Sequence, residues 1–365
     1  MEFAFRTRAN TFFGVGCVRG RAADWILGAR AFVVTGKSSG RKSGALADVE
    51  AALQANGVPY SIFEGVGNNP TLDQCREVAA LAREARADFI VGIGGGSPLD
   101  AAKAIAVLTA EDISTEQLYK NAYRSVLPLV AIPTTSGTGS EVTPWSVLTR
   151  TDLQTKRSFG NEKTLPAAAL LDPEYTRSLS RRITLDTAMD AFTHCLESLM
   201  TNKATPVTDA YNYEGIRRFG ACLPALERGD LDGVREELML VSLLGGMSIA
   251  HTGTTLMHGM GYPLTYYGGL THGEANCAVL PAYLALTARV QPERHQHALQ
   301  ALGMDAEALS SYVRRNIPLT LCITEEQIRH FAAQTMLQSS TQNMPFSPDQ
   351  SDVEALYRAV FDMAI

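Results

Sequence analysis

The stretch Phe89-Ile-Val-Gly-Ile-Gly-Gly-Gly-Ser-Pro-Leu-Asp-Ala-Ala-Lys103 restricts the fold more than any other. A short, wholly apolar strand suits a sheet that is covered on both faces, as parallel sheets are. Three glycines then end it, Ser97 can cap the following helix, and Pro98 suits that helix's first turn. Glycines let the backbone come close to a diphosphate, and the free N–H groups and dipole of the helix start favour an anion. The pattern is neither GxGxxG nor a Walker loop. A tight strand-to-helix turn with no ligand would read the same way.

Similar strands surround it. Residues 31–35 (AFVVT), 60–63 (YSIF) and 128–132 (PLVAI) are short and apolar, with helical periods at 45–57 and 75–86 between them. This is the pattern of an α/β, Rossmann-like, doubly wound parallel sheet, expected over residues 1–177. The first fourteen residues, MEFAFRTRANTFFG, read as an edge strand with no apolar h-region, so no signal peptide is expected. After Leu171-Asp172-Pro173 the text changes to long helical periods, and an all-helical second domain is expected over 178–365. Two domains suit 365 residues. A formal net charge of −6 without a basic run argues against nucleic acid or an anionic membrane as partner, and no apolar run is long enough to span a bilayer. Six cysteines without a CxxC pair read as reduced thiols of a cytoplasmic protein.

A second polar turn, Pro133-Thr134-Thr135-Ser136-Gly137-Thr138-Gly139-Ser140-Glu141, follows the strand at 128–132. Parallel-sheet proteins take ligands beyond the carboxyl ends of their strands, so two such turns after neighbouring strands would form a nucleotide site. An N-cap cluster before a helix is the plainer alternative. Where NAD-binding domains place an acid for the adenine ribose, this chain has Thr35-Gly36-Lys37-Ser38-Ser39-Gly40-Arg41-Lys42. A glycine followed by hydroxyls and cations suits a 2′-phosphate, which favours NADP(H) over NAD(H).

The helical half holds candidate metal ligands. Asp190 and His194 are four residues apart and share a helix face. His258 and His272 are fourteen residues apart, ~21 Å along one continuous helix. They can meet only if the chain turns back, and Pro263 with Gly268-Gly269 is the expected turn. One carboxylate and three imidazoles suit Fe²⁺ or Zn²⁺ better than Mg²⁺ or Ca²⁺. His251 lies seven residues before His258, two turns along one helix face, and reads as a buried histidine, with support of the site or a proton relay as the alternative. His295, His297 and His330 read as solvated.

Taken together, NNPT (68–71), GIGGGSPLDAAK (92–103), IPTTSGTGSEVT (132–143), DAFTH (190–194), His258-Gly259 and THGEAN (271–276) resemble the iron-containing (group III) alcohol dehydrogenase family, of the dehydroquinate synthase-like fold. The resemblance implies a domain that binds NAD(P)(H), a helical domain that binds the metal, a cleft between them and a homodimer. It carries the metal ligands onto Asp190, His194, His258 and His272. The diphosphate turn falls on Gly95, Gly96 and Ser97, with Asp100 just beyond. Further cofactor contacts fall on Asn69, Thr134, Thr135, Thr138 and Lys156, and the acid that marks NAD-preferring members would fall on Gly36; Gly36 and Ser38, in the loop read above for a 2′-phosphate, complete the expected cofactor set. Many members read HGMAH, whereas here Tyr262 follows His258-Gly-Met-Gly. Its phenol is then the candidate for proton transfer, although its pKa of ~10 in water is poorly matched to neutral pH.

The expected reaction is reversible oxidation of a primary or secondary alcohol to its aldehyde or ketone, with hydride passing to or from the nicotinamide. A glycerol dehydrogenase-like or dehydroquinate synthase-like enzyme, or a regulator without turnover, is the alternative.

Overall fold

The computed structural model describes residues 3, 5, 9–319, 321 and 323–362. Two compact units divide it, one ending at Leu179 and the other running from Ser180 and taking in Phe5, whose ring stacks on His251.

The first unit is built on strands β1 (Asn10–Phe13), β2 (Ala31–Gly36), β3 (Tyr60–Val66), β4 (Phe89–Gly94), β5 (Leu129–Pro133) and β8 (Ala168–Leu171), all parallel in the order β1-β8-β5-β4-β2-β3. Every residue of β2, β4 and β5 is buried, because the sheet is covered on both faces. Phe32, Val34 and Ile90 face the helices Leu72–Glu84 and Gly96–Ala110, while Ala31, Val33, Val91 and Ile93 face Leu46 and Leu53 of the helix Ala45–Ala55. Each fully buried Val, Ile or Phe contributes ~1.5–3 kcal/mol, so a period-2 sequence that is apolar at both phases stabilises both layers. Neighbours β2 and β4 send their chains opposite ways, β2 towards β3 and β4 towards β5. That divergence is the switch point at which such sheets take ligands.

The apolar runs at 31–35, 60–63, 89–93 and 128–132 fall on β2 to β5 as expected. β8 and the antiparallel hairpin of β6 (Ser146–Arg150) and β7 (Thr155–Phe159) were not expected. The second polar turn leads to a single 3-10 turn, Ser140–Val142, and then to this hairpin, not to a helix. Of the N-terminal stretch, Asn10–Phe13 forms an edge strand, while residues 1, 2, 4 and 6–8 lie outside the described residues.

The second unit is helical, with helices at Arg181–Leu199, Pro206–Arg228, Arg235–Thr252, Leu256–Tyr266 and His272–Val290, and further helices to Gln350–Asp362. Hydroxyl caps start several of them: Ser180 accepts from the Ile183 N–H, and Thr205 and Thr271 form capping boxes with Thr208 and Glu274. Met189, Phe192, Phe219, Met257 and Leu280 lie in their common core. No helix among the described residues is long and apolar enough to cross a membrane.

Two local expectations are corrected. Pro263 lies inside the helix Leu256–Tyr266, and the turn back is made by the residues after it, with Gly269 at φ +70°. Proline cannot bond the Gly259 carbonyl, and the Thr335 hydroxyl donates to it instead, at 3.4 Å. His251 ends a separate helix, which Gly253 stops, so it does not share a face with His258.

Candidate metal centre and cofactor turn

Asp190 sits midway along Arg181–Leu199, fully enclosed, with His194 one turn on. His258 lies in the first turn of Leu256–Tyr266 and His272 is the first residue of His272–Val290, so the turn between those helices brings both imidazoles to Asp190. One ligand atom from each of the four residues lies within 4.8 Å of the others. Asp190 Oδ1 is 3.9 Å from His194 Nε2, 3.5 Å from His258 Nε2 and 3.7 Å from His272 Nε2. Donor atoms ~2.1 Å from a shared ion in a tetrahedral set would be ~3.4 Å apart, so the spacing fits a metal ion better than direct hydrogen bonds. The chemistry of the donors, three nitrogens and one carboxylate oxygen, fits Fe²⁺ or Zn²⁺. The His194 and His258 rings stack at 4.7 Å, and the His272 ring stands edge-on to His258 at 4.9 Å. Only His272 keeps appreciable exposure, at 29% of its side chain, so the cluster opens on that side.

The electrostatics follow from burial. Enclosure would raise the Asp190 carboxyl, but the imidazoles of His194, His272 and His258 hold it well below the usual carboxylate range. Enclosure would lower His258, yet Glu197 and Asp190 carry it up to about 10.

Two further residues bear on the cluster and were not picked out from the sequence. Glu197, wholly buried, accepts the His258 Nδ1–H. Asn276, also buried, donates from Nδ2 to Asp190 Oδ1 at 2.9 Å and lies 3.1 Å from His258 Nε2. Both were legible as spacing: Glu197 is seven residues after Asp190, and Asn276 four after His272, each on the ligand face of its helix. Tyr262 lies one turn beyond His258, with its ring stacked on His272.

In the first unit, the residues expected at the cofactor stand at or follow the carboxyl ends of β2 to β5 in the chain, except Lys156, which lies on β7. A Cβ on Gly95 would come 3.1 Å from Thr135, and one on Gly96 would come 2.7 Å from Thr138 Cγ2, so glycine is what lets the two polar turns pack together. Thr134 N–H donates to the Gly94 carbonyl at 2.9 Å. Asn69, at φ 55°, donates its N–H to Ser97 Oγ and accepts from Thr149, which pairs with Lys156 across β6 and β7. Gly36 ends β2, close to Pro98, and Ser38 stands just before a short helix at Ser39–Ser43 without making a side-chain cap. The buried hydroxyls of Thr134 and Ser136 have no hydrogen-bond partner among the described residues. A glycine cradle with unanswered hydroxyls fits a phosphate-bearing cofactor.

Asp100 is committed to the second turn. Its carboxylate accepts from the Ser140 hydroxyl (2.6 Å) and the Val147 N–H (3.0 Å) and pairs with wholly buried Lys103 at 3.6 Å. Lys103 in turn donates to Ser140 Oγ and the Trp145 carbonyl.

Comparison with known proteins agrees with this geometry. The family model for iron-containing alcohol dehydrogenase matches residues 9–173, and the model for the C-terminal domain of Fe-containing alcohol dehydrogenases matches 184–361. The lactaldehyde reductase of Escherichia coli K12 is 30% identical over 79% of this chain and 76% of its own length. The crystal structure of an iron-containing alcohol dehydrogenase from Thermotoga maritima superposes with a TM-score of 0.92 at 36% identity, covering 99% of this chain and 100% of that one. A sulfoacetaldehyde reductase from Bifidobacterium kashiwanohense, solved in complex with NAD⁺, superposes at 0.85 with 25% identity over 99% of both chains.

Proposed function

The chain belongs to the iron-containing alcohol dehydrogenase family, and we propose on that premise that it reduces short aldehydes, and oxidises the matching alcohols, with NADP(H) and Fe²⁺. It is an oxidoreductase of alcohols and aldehydes; the substrate size, the cofactor and the metal are the parts proposed. One observation carries the reading: a buried carboxylate with three imidazole nitrogens at 3.5–3.9 Å from it.

In this reading Asp190, His194, His258 and His272 hold the metal. The bound ion supplies Lewis-acid polarisation of the alcohol or carbonyl oxygen, which lowers the cost of charge developing there. The opening beside His272 admits the substrate. Tyr262, stacked over that imidazole, is the group we assign to proton transfer. The turn at Gly95, Gly96 and Ser97 takes the diphosphate. Gly36, Ser38, Asn69, Thr134, Thr135, Thr138 and Lys156 make further contacts, and Asp100 holds the second turn in register. Lys37 and Lys42, both exposed beyond β2, answer a 2′-phosphate, whereas Arg41 is already paired with Glu64. Short aldehydes come first because the Escherichia coli relative is a lactaldehyde reductase. A cytoplasmic homodimer completes the proposal, consistent with the free cysteines among the described residues.

The test is a panel of short aldehydes, lactaldehyde included, followed at the nicotinamide absorbance with NADPH and with NADH, alongside metal analysis of the purified protein. Turnover of NADPH that stops in chelator and returns with Fe²⁺ supports the reading. Turnover unaffected by metal removal would overturn it.

A further inference from the structure

We infer that Glu197 is a positioning residue for the metal, holding His258 in one tautomer and one place while supplying the second negative charge of the buried site. The inference rests on the metal reading above. Glu197 lies on Arg181–Leu199 one turn after His194 and two after Asp190, so a single helix face carries two ligands and this carboxylate. Its side chain is wholly buried. Oε2 receives the His258 Nδ1–H, and Oε1 receives three more donors: the Thr255 N–H (3.0 Å), the Thr255 hydroxyl (2.6 Å) and the His258 N–H (3.3 Å). The Thr255 hydroxyl also meets the Tyr283 phenol at 2.8 Å, which extends the network into the core.

Two consequences follow. First, the proton on Nδ1 leaves the lone pair of His258 on Nε2, the atom that faces Asp190. A histidine held through its other ring nitrogen is oriented and made more basic towards a metal. The same carboxylate satisfies N–H groups at the start of Leu256–Tyr266, where Thr255 makes no side-chain cap of its own, so the backbone carrying His258 is fixed by the group that fixes its ring. Second, three neutral imidazoles and Asp190 would leave a divalent ion with one net positive charge in a buried site. Glu197 brings that sum to zero, and an uncompensated buried charge is costly.

The experiment uses the full chain, loaded with Zn²⁺, in competition with a chromogenic chelator. Glu197→Gln should weaken metal retention by about 10–100-fold. Tyr283→Phe, which leaves the Glu197–His258 contact in place, should shift it less than about threefold. His272→Ala, which removes a ligand, should abolish retention. Equal affinity in Glu197→Gln and wild type, with His272→Ala still defective, would overturn the role of Glu197 alone. Retention unaffected in His272→Ala would overturn the metal reading and this inference with it. If Glu197→Gln does not fold, the ¹⁵N imidazole signals of the loaded wild type decide. A proton on His258 Nδ1 supports the proposal, and a proton on Nε2 overturns it.

Discussion

The ring of Tyr262 lies almost parallel to that of His272, with 6.0 Å between centroids and 16° between planes. A phenol stacked on an imidazole at the exposed side of the candidate metal centre can act in two ways, by its hydroxyl or by its face. Tyr262→Phe keeps the face and removes the hydroxyl. With the phenol in the proton path, kcat should fall by about 10–100-fold and the pH–rate profile should lose one limb. An unchanged profile, with the KM for aldehyde raised only in Tyr262→Ala, would leave the ring as a packing surface.

Asp190 Oδ1 lies 3.5–3.9 Å from the Nε2 atoms of all three imidazoles. Asp190→Asn keeps the volume but removes the charge that draws those nitrogens together. Metal content after gel filtration should drop to background and turnover should fall with it, and the melting temperature in chelator should fall as well, because the variant removes one partner of a buried charge pair. Metal content near one equivalent in the variant would mean that the cluster does not hold the ion.

The sequence carried this cluster because its members obey simple rules. Asp190 and His194 are spaced for one helix face, and His258 and His272 lie on either side of a glycine-bearing turn. Glu197 was passed over because a glutamate in a helix is ordinarily solvated, and nothing local says that Thr255 and His258 will meet it from another helix. β8 was passed over because Ala168-Ala-Leu-Leu171 has no β-branched residue and is stated only by its neighbours β1 and β5. The β6–β7 hairpin was hidden by the charges on Arg150, Lys156 and Arg157, which sit on a two-stranded ribbon instead of a covered sheet. Pro263 misled because its usual meaning is a break, and the Thr335 hydroxyl that compensates it lies 72 residues away in sequence.

The glycine turn makes its own prediction. A Cβ at residue 96 would sit 2.7 Å from Thr138 Cγ2, so Gly96→Ala must displace Thr138, one of the residues proposed to meet the cofactor. The dissociation constant for NADPH should rise at least about tenfold, while metal content stays at the wild-type level. Fluorescence titration with NADPH measures the first and metal analysis the second. Unchanged NADPH affinity would remove this turn from the cofactor site.

The proposed preference for NADP(H) rests on the loop after β2. Lys37 is exposed there, and no acid lies between Gly36 and Asp48. Lys37→Glu places a negative charge where the 2′-phosphate is proposed to lie. The KM for NADPH should rise by about tenfold or more and that for NADH by less than about threefold, with the difference shrinking at high salt. Equal effects on both cofactors would put the adenine ribose elsewhere.

The buried acid behind the second turn gives a prediction about stability. Burial pushes the Glu141 carboxyl up to about 7, and its Oε1 atom has no hydrogen-bond partner among the described residues. In the unfolded chain a glutamate titrates near 4.3. Between those values the folded state binds the extra proton, so the contribution of Glu141 to stability is fully present below about 4.3 and is lost as pH rises through about 7. A shift of this size corresponds to on the order of 3 kcal/mol across the window. Glu141→Gln stays neutral throughout and gives up little hydrogen bonding, so it should melt above wild type at pH 8 and close to it at pH 5. Denaturant melts at the two pH values measure that difference. A gap that is the same at both would mean that Glu141 does not titrate in this range, and that wholly buried Lys103, which is near enough to act on its charge, keeps it ionised.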